Sequence, residues 1–226
     1  MRAESYHFEI KDQITMFISA FNQVVISRYN KSRSVVDKIQ VRYLYSPKQR
    51  ILHDLVNKSQ HITLPAVGVS IANIARDETR VFNKLFGTYN QIGVDNKKIS
   101  AKANFLPAPV PINIGINMSI ITKFQTDMDQ IISNFVPYNN PYVVISWKVP
   151  TSMISEVQEI RSEVLWSGDI SLTYPHDIQA NQPARVTADT SFTIKGWLFP
   201  DKTQSDGDNI LYIDSNFTPV TGFDYI

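Results

Sequence analysis

The clearest hydrophobic pattern in the chain lies in residues 111–147, PINIGINMSIITKFQTDMDQIISNFVPYNNPYVVISW. Ile112, Ile114, Ile116, Met118 and Ile120 alternate strictly, which places them on one face of a β-strand. The period then lengthens without a break. Phe124, Met128, Ile131, Ile132 and Phe135 recur at three- and four-residue steps, the stripe of an amphipathic helix. The run Tyr142 to Trp147 closes the unit as a second strand. The spacing therefore predicts a strand–helix–strand scaffold with a sharply defined buried side and no catalytic group of its own.

Elsewhere the pattern is patchier. Tyr6 to Val25 reads as a helix, with Ile10, Ile14, Phe17, Phe21 and Val24 on one stripe and Lys11, Asp12 and Gln13 off it. SRYNKSRS follows as a linker. Asp37 to Tyr45 alternates as a half-buried strand, with Ile39, Val41, Tyr43 and Tyr45 on one face. Ser46-Pro47-Lys48-Gln49 has the form of a capping box opening a helix with Ile51, Leu52, Leu55 and Val56 on its apolar side. Leu64 to Ala75, rich in β-branched residues, reads as a buried strand. Residues 76–110 are polar and end in LPAPVP, whose prolines cannot all donate to a ladder, so they read as an insertion or long loop ending in an extended connector. Glu163 to Tyr174 and Val186 to Phe199 read as two long strands joined by the polar turn HDIQANQPAR. Beyond Pro200 the chain is turn-rich and acidic, with one short strand at Ile210 to Ile213 and a tail bearing Phe217, Phe223 and Tyr225. The expected class is α+β: a mixed or antiparallel sheet flanked by two or three helices. The expected organisation is one domain over 1–200, with the insertion at about 76–110, and a C-terminal extension over 201–226.

Composition narrows the function classes. In 226 residues, hydrophobic content of 43% and charged content of 19% are those of a folded globular chain. No apolar run approaches the ~20 residues that span a bilayer, and the N-terminus turns acidic before a signal-peptide core could form. An intracellular site of synthesis and action, with no membrane partner, is the expectation. The absence of cysteine excludes disulfides, thiolate metal sites and cysteine nucleophiles. Net charge is only +1, but it is unevenly spread. Residues 1–113 hold 16 Lys and Arg against 8 Asp and Glu, while residues 114–226 hold 6 against 13. Copies with one positive and one negative flank would attract head to tail, the contact that closes rings. In a monomer, the same imbalance would describe solvated faces of different composition.

Candidate chemistry is sparse. His7, His53, His61 and His176 are scattered, and no pair has helical metal-ligand spacing. Asp127 and Asp129 point to different sides of their helix and read as a solvated face, not a catalytic dyad. Nucleophile elbow, phosphate-binding loop and dinucleotide fingerprint are all missing. Asp206-Gly207-Asp208 hints at calcium, but with Gly207 in sixth place the first and twelfth positions would be Lys202 and Ile213, so the loop fails. Two basic runs, Arg28, Lys31 and Arg33 with Tyr29, and Lys97, Lys98 and Lys102, could track phosphates in a nucleic-acid-binding module. Both are short and read more simply as solvated loops. Trp166 and Trp197 read as packing residues. An enzyme is not expected, nor a cofactor or metal. The candidate interface residues are Arg28, Tyr29, Lys31, Arg33, Lys97, Lys98, Lys102, Asp206, Asp208, Tyr212, Phe217, Phe223 and Tyr225.

The segment MSIITKFQTDMDQIISNFVPYNNPYVVI resembles the strand, acidic helix and Pro-Tyr exit of the tail sheath stabiliser and completion proteins of T-even-type contractile-tailed phages. TSFTIKGWLFP is similar to that family's terminal strand, and VVISRYN with KIQVRYLYSPKQR to its N-terminal strand and helix, with Arg42 where the family has proline. The resemblance runs in order through most of residues 6–200. The chain ends soon after the Gly-Trp strand without the long Pro-rich acidic tail of some members, so contacts made through such a tail are not carried over. What the resemblance implies is a phage tail-terminator-like fold and a structural virion protein, assembled in the host cytoplasm and placed at the tail–neck junction. There it forms a homohexameric ring that caps tube and sheath and links the tail to the head. The implied partners are further copies of itself, the tail sheath protein, the tail tube or tube terminator protein and a neck or connector protein. No sequence-specific nucleic acid is implied, though genomic DNA could pass through the ring. A tube terminator or head–tail connector ring is the alternative of the same class.

Overall fold

The computed structural model describes residues 7–57, 62–81, 87–92, 102–149, 159–175, 185–200 and 203–204. In chain order the elements are α1 (Glu9–Phe21), β1 (Val25–Tyr29), β2 (Val35–Gln40), β3 (Arg42–Tyr45), α2 (Lys48–Asn57), β4 (Ala66–Arg76), a single 3-10 turn (Glu78–Arg80), β5 (Gly87–Ile92) and β6 (Lys102–Pro107). They continue as β7 (Val110–Thr122), α3 (Gln125–Tyr138), β8 (Val143–Lys148), β9 (Glu159–Trp166), β10 (Ser171–Thr173), β11 (Val186–Leu198) and β12 (Thr203–Gln204). The chain divides into two units, Met1–Phe82 with Pro109–Phe199, and Asn83–Ala108 with Pro200–Ile226. The second contains a three-stranded antiparallel sheet in the order β12-β6-β5.

The first unit is built on a seven-stranded mixed sheet in the order β3-β4-β7-β11-β9-β8, with β10 beside β11. Only the β3–β4 pair is parallel. At its centre β7 and β11, 13 residues each, pair antiparallel from Val110↔Leu198 to Thr122↔Val186. Alternation on β7 does what its period demands: Ile112, Ile114, Ile116, Met118 and Ile120 are all buried. Opposite them on the same face lie Gly196, Ile194, Phe192, Thr190 and Ala188 of β11. Helices α1 and α3 supply Phe17, Phe21, Met128, Ile131 and Phe135 to this core. The rings of Phe17, Phe21, Phe135 and Phe192 meet at centroid separations of 5.0–5.6 Å, within the range of favourable tilted and edge contacts. Full burial of one such side chain contributes roughly 1.5–3 kcal/mol. The edge strand β8 shows the same two-residue rule, with Val143, Ile145 and Trp147 buried and their neighbours exposed. The indole of buried Trp147 donates to Ser162 Oγ at 2.9 Å.

The α+β class and the strand–helix–strand unit are as expected, and α1, α2 and α3 bring the helix count to three among the described residues. Several local expectations give way. SRYNKSRS is no linker: β1 and β2 form an antiparallel hairpin across it, in a sheet of their own. The alternating run Asp37 to Tyr45 is broken at buried Val41, whose N–H is taken by Val24, so it serves two sheets, and Tyr45 ends up exposed. The capping box does not form. Ser46 Oγ is buried without a partner, and the carbonyl of Pro47 accepts the first helical bonds from Arg50 and Ile51. β4 is buried only in its first half, because helix cover ends before its bulge between Ile71 and Asn73. Residues 76–110 contain two strands, and Pro111 lies inside β7 opposite Trp197. The expected strand Glu163 to Tyr174 is cut at Gly168, whose φ of +87° turns the chain between β9 and β10. The expected turn at 176–184 and the strand at Ile210 to Ile213 lie outside the described residues.

Candidate functional site

Three surfaces of the first unit bring polar and charged side chains together. The first is the hairpin and its mount. Antiparallel pairing runs Val25↔Gln40, Ile26↔Ile39 and Ser27↔Lys38. Gln130 on α3 reaches the outer edge of β1, where its amide accepts from Ser27 N–H and donates to Ser27 C=O, both at 2.9 Å. One side chain thus supplies both bonds that a neighbouring strand residue would make. Arg28 lies 5.3 Å from the centre of the Phe124 ring and 3.8 Å from the Asp127 carboxylate. Asp127 is buried, contrary to its reading as part of a solvated face, because α3 turns it under the hairpin. Burial raises its pKa, and the nearby Arg28 charge acts in the opposite direction. Phe124, expected on the buried stripe, caps α3 from an exposed position and serves as the platform for Arg28. Tyr29, Lys31 and Arg33 are exposed on the hairpin.

The second surface is a charged corner where β4 ends. Asp77 is buried and caps the 3-10 turn by accepting from Thr79 N–H at 3.1 Å. It also accepts from Thr79 Oγ1 (2.6 Å), Arg80 Nε (2.8 Å) and Lys195 Nζ (3.1 Å). Those hydrogen bonds, Thr79 foremost, hold its carboxyl far below the ordinary range. Arg80 goes on to donate to Ile112 C=O at 2.7 Å and lies 4.9 Å from the centre of the Trp197 ring. Close by, α1 docks through two polar residues, Glu9 and Gln13, of which periodicity had set Gln13 off the apolar stripe. Buried Glu9 accepts Phe199 N–H at 2.8 Å, and buried Gln13 donates to Trp197 C=O at 3.2 Å. Desolvation raises the Glu9 pKa. A Cβ at position 196 would strike Gln13 Oε1, so glycine is needed there for this close approach.

The third surface is the sheet face opposite the aromatic core. Gly68 pairs with Ser119, one residue out of phase with the core positions, and α2 packs over it: a Cβ on Gly68 would come within 2.6 Å of Ile51 Cδ1 and 2.9 Å of Ser46 C=O. Beyond α2 the face is polar. Ser70, Asn117, Ser119, Asp189 and Ser191 line a groove of about 370 Å³ beside Lys48. Asp189 binds Lys48 Nζ at 2.6 Å and accepts from Ser119 Oγ at 2.6 Å. The Asp189 carboxylate is thus shared between the Ser119 hydroxyl and the Lys48 ammonium. Among the described residues no group of three or more His, Asp and Glu is placed to hold a metal ion, and no helix is long and apolar enough to cross a membrane.

Of the residues singled out from sequence, Arg28, Tyr29, Lys31 and Arg33 do share one hairpin. Lys102 is on β6, and Lys97, Lys98, Asp206, Asp208, Tyr212, Phe217, Phe223 and Tyr225 lie outside the described residues. Engagement of Arg28 by Phe124 and Asp127 removes one cation from any phosphate-tracking row. Gln130, Asp77, Glu9 and Gln13 carried no local signal, since each is a common surface residue type whose partner lies far along the chain.

A long mixed sheet with an aromatic face closed by helices, a polar face and a side hairpin defines an α+β fold. The chain belongs to the T4-like virus Myoviridae tail sheath stabiliser family, whose model matches residues 4–222. It is therefore a structural component of the phage tail. Among solved structures, the sheath/tube terminator of the extracellular contractile injection system PVC, in its extended state, is similar at 10% identity and a TM-score of 0.42. That match covers 99% of this chain and 66% of the neighbour, just under two thirds of its length. No curated protein matches.

Proposed function

We propose that this chain forms a ring, a hexamer, at the head-proximal end of the tail, where it caps tube and sheath and joins them to the neck. Its work is binding, not catalysis. Terminal subunits of a polymer lack neighbours on one side, and a cap restores those missing contacts. Family membership carries this reading. Supporting it are the opposite charge balance of the two halves, suited to head-to-tail closure, and the open polar sheet face. The partners in this reading are further copies of the chain, the sheath protein, the tube or tube terminator protein and a neck protein, with DNA passing through without sequence recognition. Electron microscopy of particles carrying a labelled copy tests it. The expected result is a sixfold density at the tail–neck junction, with sheaths that detach when the protein is missing. Label at the baseplate, or stable sheaths without the protein, would refute it.

A further inference from the structure

The β1–β2 hairpin is a two-stranded sheet whose β1 edge meets Gln130 and whose β2 edge meets no strand among the described residues. Because Ser27 gives both its backbone groups to Gln130, it cannot give them to Lys38 across the pair. Antiparallel alternation then turns the N–H and C=O of Lys38 outward, and those of Gln40 two residues on. The Lys38 N–H meets only the adjacent Asp37 carboxylate, at 2.8 Å, a local stopgap of the kind that edge strands carry. No third strand pairs with β2 among the described residues. Around this edge the surface is apolar and basic. Val35 and Tyr29 are exposed and Val36 is 68% exposed, while Lys31, Arg33 and Lys38 form no ion pair with a described residue. Asp37 is the one opposing charge on the hairpin.

The complement to such an edge is a short apolar segment flanked by carboxylates, and the sequence contains one. Residues 205–226 hold four Asp and no Lys, Arg or His, with Ile210, Leu211, Tyr212 and Ile213 set between Asp208 and Asp214. We infer that the open edge of β2 receives residues 208–214 of a second copy of this chain as an added strand. This rests on the ring reading, and it supplies the head-to-tail contact that closure requires. Main-chain bonds to Lys38 and Gln40 would give affinity, and the Asp pair against Lys31, Arg33 and Lys38 would give polarity and register.

The absence of cysteine makes a clean test possible. Full-length Val36→Cys and Tyr212→Cys chains are mixed and treated with a short bis-maleimide, with Val144→Cys on the exposed side of β8 replacing Val36→Cys as control. The expected product is a covalent Val36→Cys/Tyr212→Cys pair, reduced about tenfold by Lys31→Glu with Lys38→Glu. Adding Asp208→Lys with Asp214→Lys to the second chain restores it. Equal linking to the Val144→Cys control, indifference to charge reversal, or linking within a single doubly substituted chain at high dilution would each overturn the inference. If microscopy shows rings on tails while the link fails, this contact falls and the ring stands; if no ring is seen, both fall.

Discussion

The two faces of the β7–β11 ladder come from the same residues taken alternately, yet they settle opposite matters. One side presents Ile112, Ile114, Ile116, Met118 and Ile120 beside Phe192 and Ile194, and it is closed over by α1 and α3. The other presents Asn113, Gly115, Asn117 and Ser119 beside Asp189, Ser191, Thr193 and Lys195, and α2 covers only its β4 end. The first face is a matter of area removed from water and holds the subunit together. The second is made of groups that hydrogen-bond equally well to water or to another chain, so it adds little to folding. A tail component that must meet other chains without aggregating beforehand benefits from keeping its apolar and polar groups on separate sides of one sheet.

Substitutions should separate the faces cleanly, beginning with the aromatic side. Phe17→Ala removes a fully buried ring that touches Phe21 and Phe192, and is expected to cost about 3–5 kcal/mol, read as a shift in urea midpoint. A loss below about 1 kcal/mol would mean that α1 is not part of the core. Next, Gly68→Ala drives a methyl into Ile51 and the Ser46 carbonyl and is expected to cost about 1–3 kcal/mol as α2 lifts.

How far these features were legible follows from the range of their causes. The core face was readable because alternation is a local signal, and five positions of β7 repeat it. The hairpin was missed because its strands carry little buried area of their own, and the amide that holds β1 to α3 lies 103 residues away. Burial of Glu9 and Gln13 escaped for the same reason: each is stabilised by a backbone group of β11 or just beyond it, and nothing near them in the chain says so. Ser46 is the reverse case, in which the local motif was present but burial against the sheet decided the cap.

A third prediction concerns pH. The Asp77 pKa is lowered in the folded state, so its contribution is fully present above the unfolded-state value of about 3.9 and is lost as pH falls below it. Asp77→Asn is therefore expected to destabilise at pH 7, with the gap from the parent chain narrowing steadily as pH falls below about 4. A gap that is constant across that range would show that the carboxylate charge is not what orders the corner. The smallest effect on stability is expected from Asn117→Arg with Ser191→Arg on the open face, within about 0.5 kcal/mol. If that face meets the tail, the same pair should abolish capping, scored as sheath loss from purified particles. Normal capping would assign the contact to another surface.

The Gln130 amide has a mechanical consequence. The hairpin is fastened to α3 by a donor and an acceptor on one planar group, with Arg28 between Phe124 and Asp127 alongside and Ile26 buried in the core. Two bonds on one rigid plane share a pull and let go together, whereas the rungs of a peeled ladder fail one after another. Under load such a fastening stays stiff up to a threshold and then gives way at Ser27 in one step, rather than rung by rung.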